Sequence, residues 1–583
     1  MLLGIMFFLM IASASNESAI MDELAHIPAG YSYVALMDMR LNPEHPPLIK
    51  DLAGIPLLFL DLNFPTDVKA WKDDLNGQWD MGRIFLYEAG NDADQILFWA
   101  RLPMMLLAIL FGWILYAWTQ RRFGRTTALM TLFLFAFSPT FIAHSRYVTT
   151  DLAASFGFLI GLLTFIDFLE QPTRKHAVIA GIALGIALLL KFSTVLLLPV
   201  YGIALLAWII AHYTPVPDKN ILSSLMRFSI PLFGKIILMG IVAAATISLV
   251  YQWHVWQYPS ERQLADATTL LESFGIRPLA NFDLWLIKHD FTRAFGQYIL
   301  GVLMVVQRAA GGNTTYFVGE VTNGGWWYYF PLLYMLKETA ALHILTIVAI
   351  IVAGLSALRH MGAGIEWIRA HIAETAMLIF IIVYWIYSIR STLNIGVRHV
   401  LPTFPFVYIL VSHQITRWLQ SIPPTPGTVS AKFFHVRWRS VFIAFCLSWT
   451  AFSVIFAFPY YLSYFNEFAG GSDTAYRIVA DSNYDWGQDL KRLRDYAEEN
   501  NISHIAVDYF GGGSPLYYLG EKFEPWWSSR GAPEGYFAIS ATFRQGAFGT
   551  WVNEQRRPED QYLWLRDKEP IARAGQSIFI YKF

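Results

Sequence analysis

Residues 152–168 read Leu152-Ala-Ala-Ser-Phe-Gly-Phe-Leu-Ile-Gly-Leu-Leu-Thr-Phe-Ile-Asp-Phe168, an apolar run with a single charge. A run of this length can form an α-helix that crosses a bilayer, which needs roughly 20 mainly apolar residues. Similar runs recur along the chain, and they predict further spans at 2–15, 101–118, 127–144, 177–191, 194–211, 230–250, 331–357, 374–390, 399–417 and 440–458. We therefore expect an α-helical integral membrane protein with about 11 transmembrane helices.

The composition supports this class and excludes others. Of 583 residues, 55% are hydrophobic and only 15% are charged, which is too apolar for a soluble protein of this length. The net charge of −1 gives no indication of a nucleic-acid partner. The single cysteine, Cys446, lies in an apolar run and is expected to be a buried small side chain.

Basic residues set the predicted orientation, because short cytoplasmic loops are enriched in Lys and Arg. They cluster after alternate spans, at Arg121, Arg122, Arg125, Arg174, Lys175, Arg417, Arg437 and Arg439. This places the loops 16–98 and 251–330 and the tail 459–583 outside. The first apolar segment ends in Ile11-Ala-Ser-Ala-Ser15, which resembles a signal-peptidase site. A retained span and a cleaved signal both leave the following loop outside.

The chain is expected to form two domains, a membrane domain over 1–458 and a small extracytoplasmic α/β domain over 459–583. In the tail, the pattern predicts an amphipathic helix over 486–500 and strands over 505–509 and 578–581. The stretch 294–306 is apolar but short, so we expect an interfacial or re-entrant segment there.

Asp22 and Glu23 follow the first apolar segment, near the outer membrane surface. A carboxylate there can take a proton from a hydroxyl, which is general base catalysis. His26 is four residues from Asp22 and shares its face on a helix. The alternative is an ordinary helix start, where acidic residues are favoured.

A second motif, Glu44-His45-Pro-Pro-Leu-Ile-Lys50, combines ionisable side chains with a rigid turn. The prolines fix the backbone, which suits the positioning of side chains. Lys50 is well placed to meet a lipid phosphate. The alternative is a lysine whose stem lies along apolar surface.

Two further outer connections carry charge. Arg146 and Asp151 lie in the short outer connection between the third and fourth predicted spans, where charge is costly and needs a partner. They could pair with each other, or Asp151 could face the cavity of Asp22 while Arg146 binds a phosphate. Arg398 and His399 lie in a tight outer turn that calls for an anion, either a phosphate or a lipid headgroup.

These motifs resemble the protein O-mannosyltransferase family, which belongs to the GT-C class of membrane glycosyltransferases. The resemblance rests on Asp22-Glu23 with His26, on His45-Pro-Pro-Leu-Ile-Lys50 and on Arg146-Tyr-Val-Thr-Thr-Asp151. It covers residues 1–210 well and the helix plan to about 458. It implies a hexosyltransferase that moves a sugar, with inversion, from a polyprenyl-phosphate donor to an acceptor hydroxyl.

The resemblance also implies roles for individual residues. Asp22 would be the base, Glu23 would line the acceptor site and Asp151 would be the second cavity carboxylate. Glu44 would lie near the site with His26. The residues expected at the donor phosphate are His45, Lys50, Arg146, Arg398 and His399, the last two by topology alone.

The chain departs from the eukaryotic enzymes of this family in its tail, which contains Asp481-Ser-Asn-Tyr-Asp-Trp-Gly-Gln-Asp489. Asp481, Asp485 and Trp486 would suit a carbohydrate surface, although a turn with a helix cap is an equal interpretation. The tail resembles that of bacterial relatives in the plasma membrane and leaves protein, lipid and polysaccharide open as acceptors.

The expected partners are a lipid-linked sugar donor, an acceptor and membrane lipids. No ligand spacing demands a cofactor, and a divalent metal stays open. Two other classes remain alternatives: a secondary transporter, and a polymer ligase that uses a lipid-diphosphate oligosaccharide. The acidic residues lie in outer loops and no repeat is visible, which favours the transferase over a transporter.

Overall fold

The computed structural model describes residues 1–214, 220–359, 364–421, 429–552 and 556–583. Within them, seven helices are long and apolar enough to cross a membrane, and two shorter apolar helices are Leu2–Ala14 and Arg125–Ala136. The seven are Ala93–Phe123, Thr150–Glu170, Phe192–His212, Ser223–His254, Ala340–Leu358, Ile372–Arg390 and Arg437–Ala457. The multi-pass helical class is therefore confirmed, while the number of about 11 spans stays a prediction.

Two predicted spans are broken in the structure. The span 127–144 divides into Arg125–Ala136 and Pro139–His144, because Ser138 caps a new helix by accepting a hydrogen bond from the Phe141 amide. The span 331–357 divides into Tyr329–Lys337 and Ala340–Arg359, with Glu338 extended between them. By contrast, the predicted division between the spans 177–191 and 194–211 is confirmed, since the backbone of Lys191 is extended after the helix Arg174–Leu190.

Close helix packing organises the membrane part. Helix Arg174–Leu190 lies against Thr150–Glu170 and Ile221–His254. A Cβ atom added at Gly181 would stand 2.7 Å from the Met239 carbonyl oxygen, and one at Gly185 would stand 2.7 Å from Thr246 Cβ. Small residues are what allows helix backbones to approach this closely in a membrane. The helix Phe404–Gln420 packs against Arg125–Ala136 and Ala340–Arg359.

The two loops that the sequence predicts to lie outside are folded. Loop 16–98 contains the helices Glu23–Leu36, Leu48–Gly54, Lys69–Lys72 and Gln78–Arg83. Loop 251–330 contains the helices Ser260–Leu270, Arg277–Lys288 and Arg293–Gly311, followed by strands β1 (Thr315–Phe317) and β2 (Glu320–Thr322). The predicted short apolar segment 294–306 is thus part of a 19-residue helix.

The tail contains a mixed five-stranded sheet in the order β4-β3-β5-β8-β7. Its strands are β3 (Ile505–Asp508), β4 (Phe523–Pro525), β5 (Tyr536–Ser540), β7 (Ala572–Ala574) and β8 (Ile578–Lys582), and β6 (Thr550–Trp551) pairs with β2 instead. The helices are Leu490–Glu499, Pro515–Leu519 and Ala541–Phe548. The helix predicted from 486 begins four residues later, because residues 486–488 bond to the first outer loop.

We predict that Gly181→Ala lowers the unfolding free energy by about 1–3 kcal/mol, the usual cost of overpacking. The added methyl group would meet a backbone carbonyl, which cannot move away as a side chain can. Gly202→Ala is the matched control, since its added Cβ has no atom within 4 Å. Thermal unfolding in detergent should show a loss for the first variant and none for the second; equal unfolding temperatures would contradict the packing.

Candidate active site

A cavity of about 450 Å³ opens where loop 16–98 meets the turn that follows helix Ile372–Arg390. Six residues predicted from the sequence line it: Asp22, His26, Glu44, His45, Arg398 and His399. The structure therefore brings together side chains that are up to 377 positions apart in the sequence. Four other predicted residues, Glu23, Lys50, Arg146 and Asp151, do not line the cavity.

A chain of alternating charges forms one wall. Arg398 Nη1 donates to Asp22 Oδ2 at 2.9 Å and to Asp151 Oδ2 at 3.1 Å. Lys191 Nζ then donates to Asp151 Oδ1 at 2.7 Å. Asp151 is buried behind this wall, whereas the Asp22 side chain is 28% exposed. The Arg398–Asp151 pair is buried away from bulk water, so its two charges attract each other much more strongly than those of a surface pair.

Two imidazole rings stand beside Asp22. His26 and His45 meet edge to face with their centroids 5.2 Å apart, and His26 Nδ1 lies 3.0 Å from the Val148 carbonyl oxygen. Burial lowers the pKa of His26 to about 4 and the pKa of His45 well below its ordinary value. Both rings are therefore neutral at pH 7, so His45 can offer a phosphate a hydrogen bond but not a positive charge.

Glu23 faces away from the cavity, into a buried ion pair. Its Oε2 accepts from Arg101 Nη2 at 2.7 Å and its Oε1 from Arg101 Nε at 2.8 Å. The two oxygens also accept the backbone amides of Ile20 and Val148. With its oxygens bound in this way, Glu23 fixes the loop that carries Asp22, and the structure does not place it in an acceptor site.

Lys50 is also buried away from the cavity. Its Nζ has four oxygen atoms within 2.8–2.9 Å, from Tyr33, Asn42 (two atoms) and the His45 carbonyl. Burial lowers the pKa of Lys50 to about 7. These contacts hold the turn that presents His45, and they leave the ammonium group no free direction toward a phosphate.

Arg146 is fully buried and pairs with Glu17, whose Oε2 lies 3.1 Å from Arg146 Nη1. The simple alternative in which Arg146 and Asp151 pair with each other is therefore wrong, since Asp151 binds Arg398 and Lys191. Of the residues expected at the donor phosphate, only His45, Arg398 and His399 reach the cavity.

The cavity lining also includes a second, fixed carboxylate. Glu44 accepts hydrogen bonds from Gln78 Nε2 at 2.6 Å and Asn76 Nδ2 at 3.0 Å. The exposed side chain of Trp79 lines the cavity as well. Within the described parts of the chain, no group of three or more His, Cys, Asp or Glu side chains is arranged to hold a metal ion.

Two cavity cations were missed by the sequence interpretation. Lys191 lines the cavity and is the only charge between the apolar stretches 177–190 and 192–211, which is a signal that could have identified it. Arg308 lines the mouth from helix Arg293–Gly311 and forms no ion pair among the residues that the structure describes. An exposed arginine on an amphipathic helix has no sequence signal that separates it from a solvated one.

A segment of the tail, residues 483–486, contacts Arg398 and the backbone beside Asp22. The Arg398 guanidinium lies 4.1 Å from the centre of the Trp486 ring, and the Met21 amide donates to the Trp486 carbonyl oxygen at 3.1 Å. Asn483 Oδ1 accepts the Val397 amide at 2.9 Å. One short segment therefore holds the backbones next to both Asp22 and Arg398.

The predicted carbohydrate surface on this segment is wrong for two of its three residues. Asp485 and Trp486 are buried, so they cannot form an exposed surface. Asp481 is half-buried, and its amide donates to Thr542 Oγ1 at 3.0 Å. The alternative interpretation is confirmed for the turn but not for the cap, because the side chain of Asp489, at the N-cap of helix Leu490–Glu499, accepts no capping hydrogen bond.

We predict that Glu23→Gln lowers the unfolding free energy by about 3–5 kcal/mol, because it leaves Arg101 buried without its partner charge. Asp22→Asn, one residue away, should cost clearly less, since Asp22 is partly exposed and Arg398 keeps Asp151. Thermal unfolding in detergent compares the two variants. Equal losses of unfolding free energy in the two variants would show that the buried Glu23–Arg101 pair stabilises the fold no more than the Asp22–Arg398 pair does.

Comparisons with known proteins found similar solved structures and one family model that matches part of the chain. Among solved structures, the chain is similar to ArnT from Cupriavidus metallidurans bound to undecaprenyl phosphate, with 14% identity and a TM-score of 0.46, over 99% of this chain and 97% of that chain. It is also similar to the archaeal oligosaccharyltransferase AglB from Archaeoglobus fulgidus in complex with an inhibitory peptide and a dolichol-phosphate, with 12% identity and a TM-score of 0.46, over 94% of this chain and 70% of that chain. No curated protein matches the chain.

A family model described as dolichyl-phosphate-mannose-protein mannosyltransferase matches residues 93–216. This segment includes Arg146-Tyr-Val-Thr-Thr-Asp151 and Lys191. Over residues 93–216, the chain thus has the sequence pattern of the dolichyl-phosphate-mannose-protein mannosyltransferase family, and the resemblance inferred from its motifs is confirmed there.

Proposed function

We propose that the protein is a membrane glycosyltransferase that moves a sugar from a polyprenyl-phosphate donor to an acceptor hydroxyl in the cavity. The observation that carries the proposal is the pairing of Asp22 with Arg398 on a cavity wall that Lys191 and Arg308 also line. A carboxylate base and several cations within one cavity are what this reaction needs. The match of residues 93–216 to a mannosyltransferase family supports the same class.

Asp22 is the base of the proposed reaction. Arg398 holds its Oδ2, and within the described chain no hydrogen bond engages Oδ1, so this oxygen is free to accept a proton. The acceptor oxygen forms a bond to the anomeric carbon as its proton passes to Asp22. The bond from that carbon to the phosphate oxygen breaks, and its electron pair leaves with the phosphate. Attack opposite the leaving group inverts the anomeric centre, through an oxocarbenium-like transition state.

Charge develops on the phosphate as it leaves, and fixed cations stabilise it. Lys191 is suited to this role, because its ammonium group makes one ion pair and its side chain is 19% exposed. Arg308 is the second candidate, since it is exposed at the cavity mouth. The resemblance implies Lys50 and Arg146 at the phosphate, but Lys50 donates to the His45 carbonyl oxygen and Arg146 pairs with the Glu17 carboxylate.

We predict that Asp22→Asn slows transfer by about 100-fold or more, the usual contribution of a general base. The assay measures release of label from a panel of radiolabelled polyprenyl-phosphate sugars by the purified protein in vesicles. Asp61→Asn, an exposed aspartate in the same outer loop, is the control and should be fully active. Substantial turnover by folded Asp22→Asn would remove Asp22 as the base.

We predict that Lys191→Gln and Lys50→Gln fail in different ways. Lys191→Gln should lower kcat/KM for the donor by about 10- to 100-fold, the effect expected for one lost hydrogen bond to a charged group. Lys50→Gln should lower the unfolding free energy by about 3 kcal/mol, because buried oxygens lose their donor. The transfer assay and thermal unfolding measure the two effects. A similar loss of kcat/KM in a stable Lys50→Gln protein would return the phosphate role to Lys50.

A further inference from the structure

Helix Arg277–Lys288 in the second outer loop carries an apolar face that the described protein does not cover. Leu279, Phe282 and Trp285 are 47%, 52% and 54% exposed, and Phe291 beyond the helix end is 96% exposed. Soluble surfaces rarely present several large apolar side chains side by side, so such a patch marks a contact with a membrane or a partner.

The helix has three faces rather than two. At 3.6 residues per turn, Ala280, Asp283 and Ile287 point to one side, and all three are buried. Burial raises the pKa of Asp283 to about 8, so its carboxyl group is neutral at pH 7 and fits an apolar contact. Leu279, Phe282 and Trp285 fall on one flank of this buried face. The opposite flank is polar and contains Arg277, Asn281 and Lys288.

A helix with one side on protein, one apolar flank and one basic polar flank suits the boundary of a bilayer. The apolar flank can enter the acyl region while the basic flank stays among the headgroups. A contact with a second protein would not require the polar and apolar residues to separate in this way.

The position of the helix supports the same partner. The long apolar helix Ile221–His254 ends in exposed Trp253, with exposed Trp256 just beyond it, and exposed tryptophans at the end of a spanning helix mark the membrane–water boundary. Arg293 Nη2 donates to the carbonyl oxygens of Val255 and Tyr258, which ties the helix after Arg277–Lys288 to this boundary.

We propose that helix Arg277–Lys288 lies in the surface of the bilayer leaflet on the cavity side, with Leu279, Phe282 and Trp285 in the acyl region and Lys288 among the headgroups. The helix packs on Arg293–Gly311, where a Cβ atom at Gly296 would stand 2.6 Å from Ile287 Cγ1. That second helix lines the cavity at Val305 and Arg308. The bilayer surface would therefore support one wall of the cavity through these two packed helices.

The proposed position of helix Arg277–Lys288 in the membrane surface does not rest on the proposed function. If the donor is a lipid-linked phosphate, however, the arrangement has a consequence for it. Arg308 then stands at the cavity mouth on a helix held at the membrane surface, which is the level at which a lipid phosphate lies.

Site-directed spin labelling tests the proposal without any assay of activity. Nitroxide labels are attached at Phe282→Cys or Trp285→Cys after Cys446→Ser has removed the single native cysteine, which is buried. Asn281→Cys, on the polar flank of the same helix, is the matched control. The proteins are placed in vesicles of phosphatidylethanolamine and phosphatidylglycerol, and label collisions are measured with oxygen, which enters the bilayer, and with nickel-EDDA, which stays in water.

We expect labels at 282 and 285 to collide preferentially with oxygen, at a depth of about 5–10 Å below the surface. The label at 281 should collide preferentially with nickel-EDDA. Free collision of the labels at 282 and 285 with nickel-EDDA would overturn the proposal, because the face would be in water. Collision with neither reagent would also overturn it, because a protein surface, such as a second copy of the chain, would then cover the face.

Discussion

The site depends on one guanidinium group that two carboxylates share. Burial alone would lower the pKa of Arg398, but Asp151 and Asp22 raise it above its ordinary value, so the group stays charged. A buried charge is stable only where its partners are well placed, because the desolvation cost of each ion is several kcal/mol. The loop at Asp22, the start of helix Thr150–Glu170 and the turn at Arg398 must therefore meet in one arrangement.

The part of this architecture that follows from the sequence is the part governed by one-dimensional patterns. Apolar runs identified the long helices, and Lys191 was correctly taken as a break between two of them. Asp22 was chosen as a carboxylate near the outer surface that could act as a base, and Arg398 because a basic outer turn calls for an anion. The sequence assigned that anion to a phosphate or a lipid headgroup, and the direct contact with Asp22 is a finding of the structure.

The two lysines illustrate where the sequence interpretation stops. Lys50 follows a rigid proline turn and was expected at the phosphate, whereas Lys191 was used only to divide two helices. In the structure their positions are reversed: oxygens of Tyr33, Asn42 and His45 surround Lys50, and Lys191 opens on the cavity. Whether a lysine has hydrogen-bond acceptors nearby depends on the oxygen atoms that tertiary folding brings to it. The spacing of residues along the sequence does not show which oxygen atoms these are. The broken spans have a similar origin, since Ser138 Oγ donates to Glu338 Oε1 at 2.8 Å and the two helix breaks satisfy each other's polar groups.

The tail belongs to the site for the same physical reason. The guanidinium of Arg398 has one face against Trp486, and a desolvated cation over an indole ring gains about 2 kcal/mol. The carbonyl of that tryptophan accepts the Met21 amide, next to Asp22, while Asn483 accepts the Val397 amide, next to Arg398. If the tail moved, both ends of the Asp22–Arg398 pair would lose backbone support at once, and a buried charge would lose the ring that shields it. The distance between the proposed base and its cation is thus set by a segment more than 80 residues beyond Arg398, and the tail is as much a part of the cavity wall as the helices that cross the membrane.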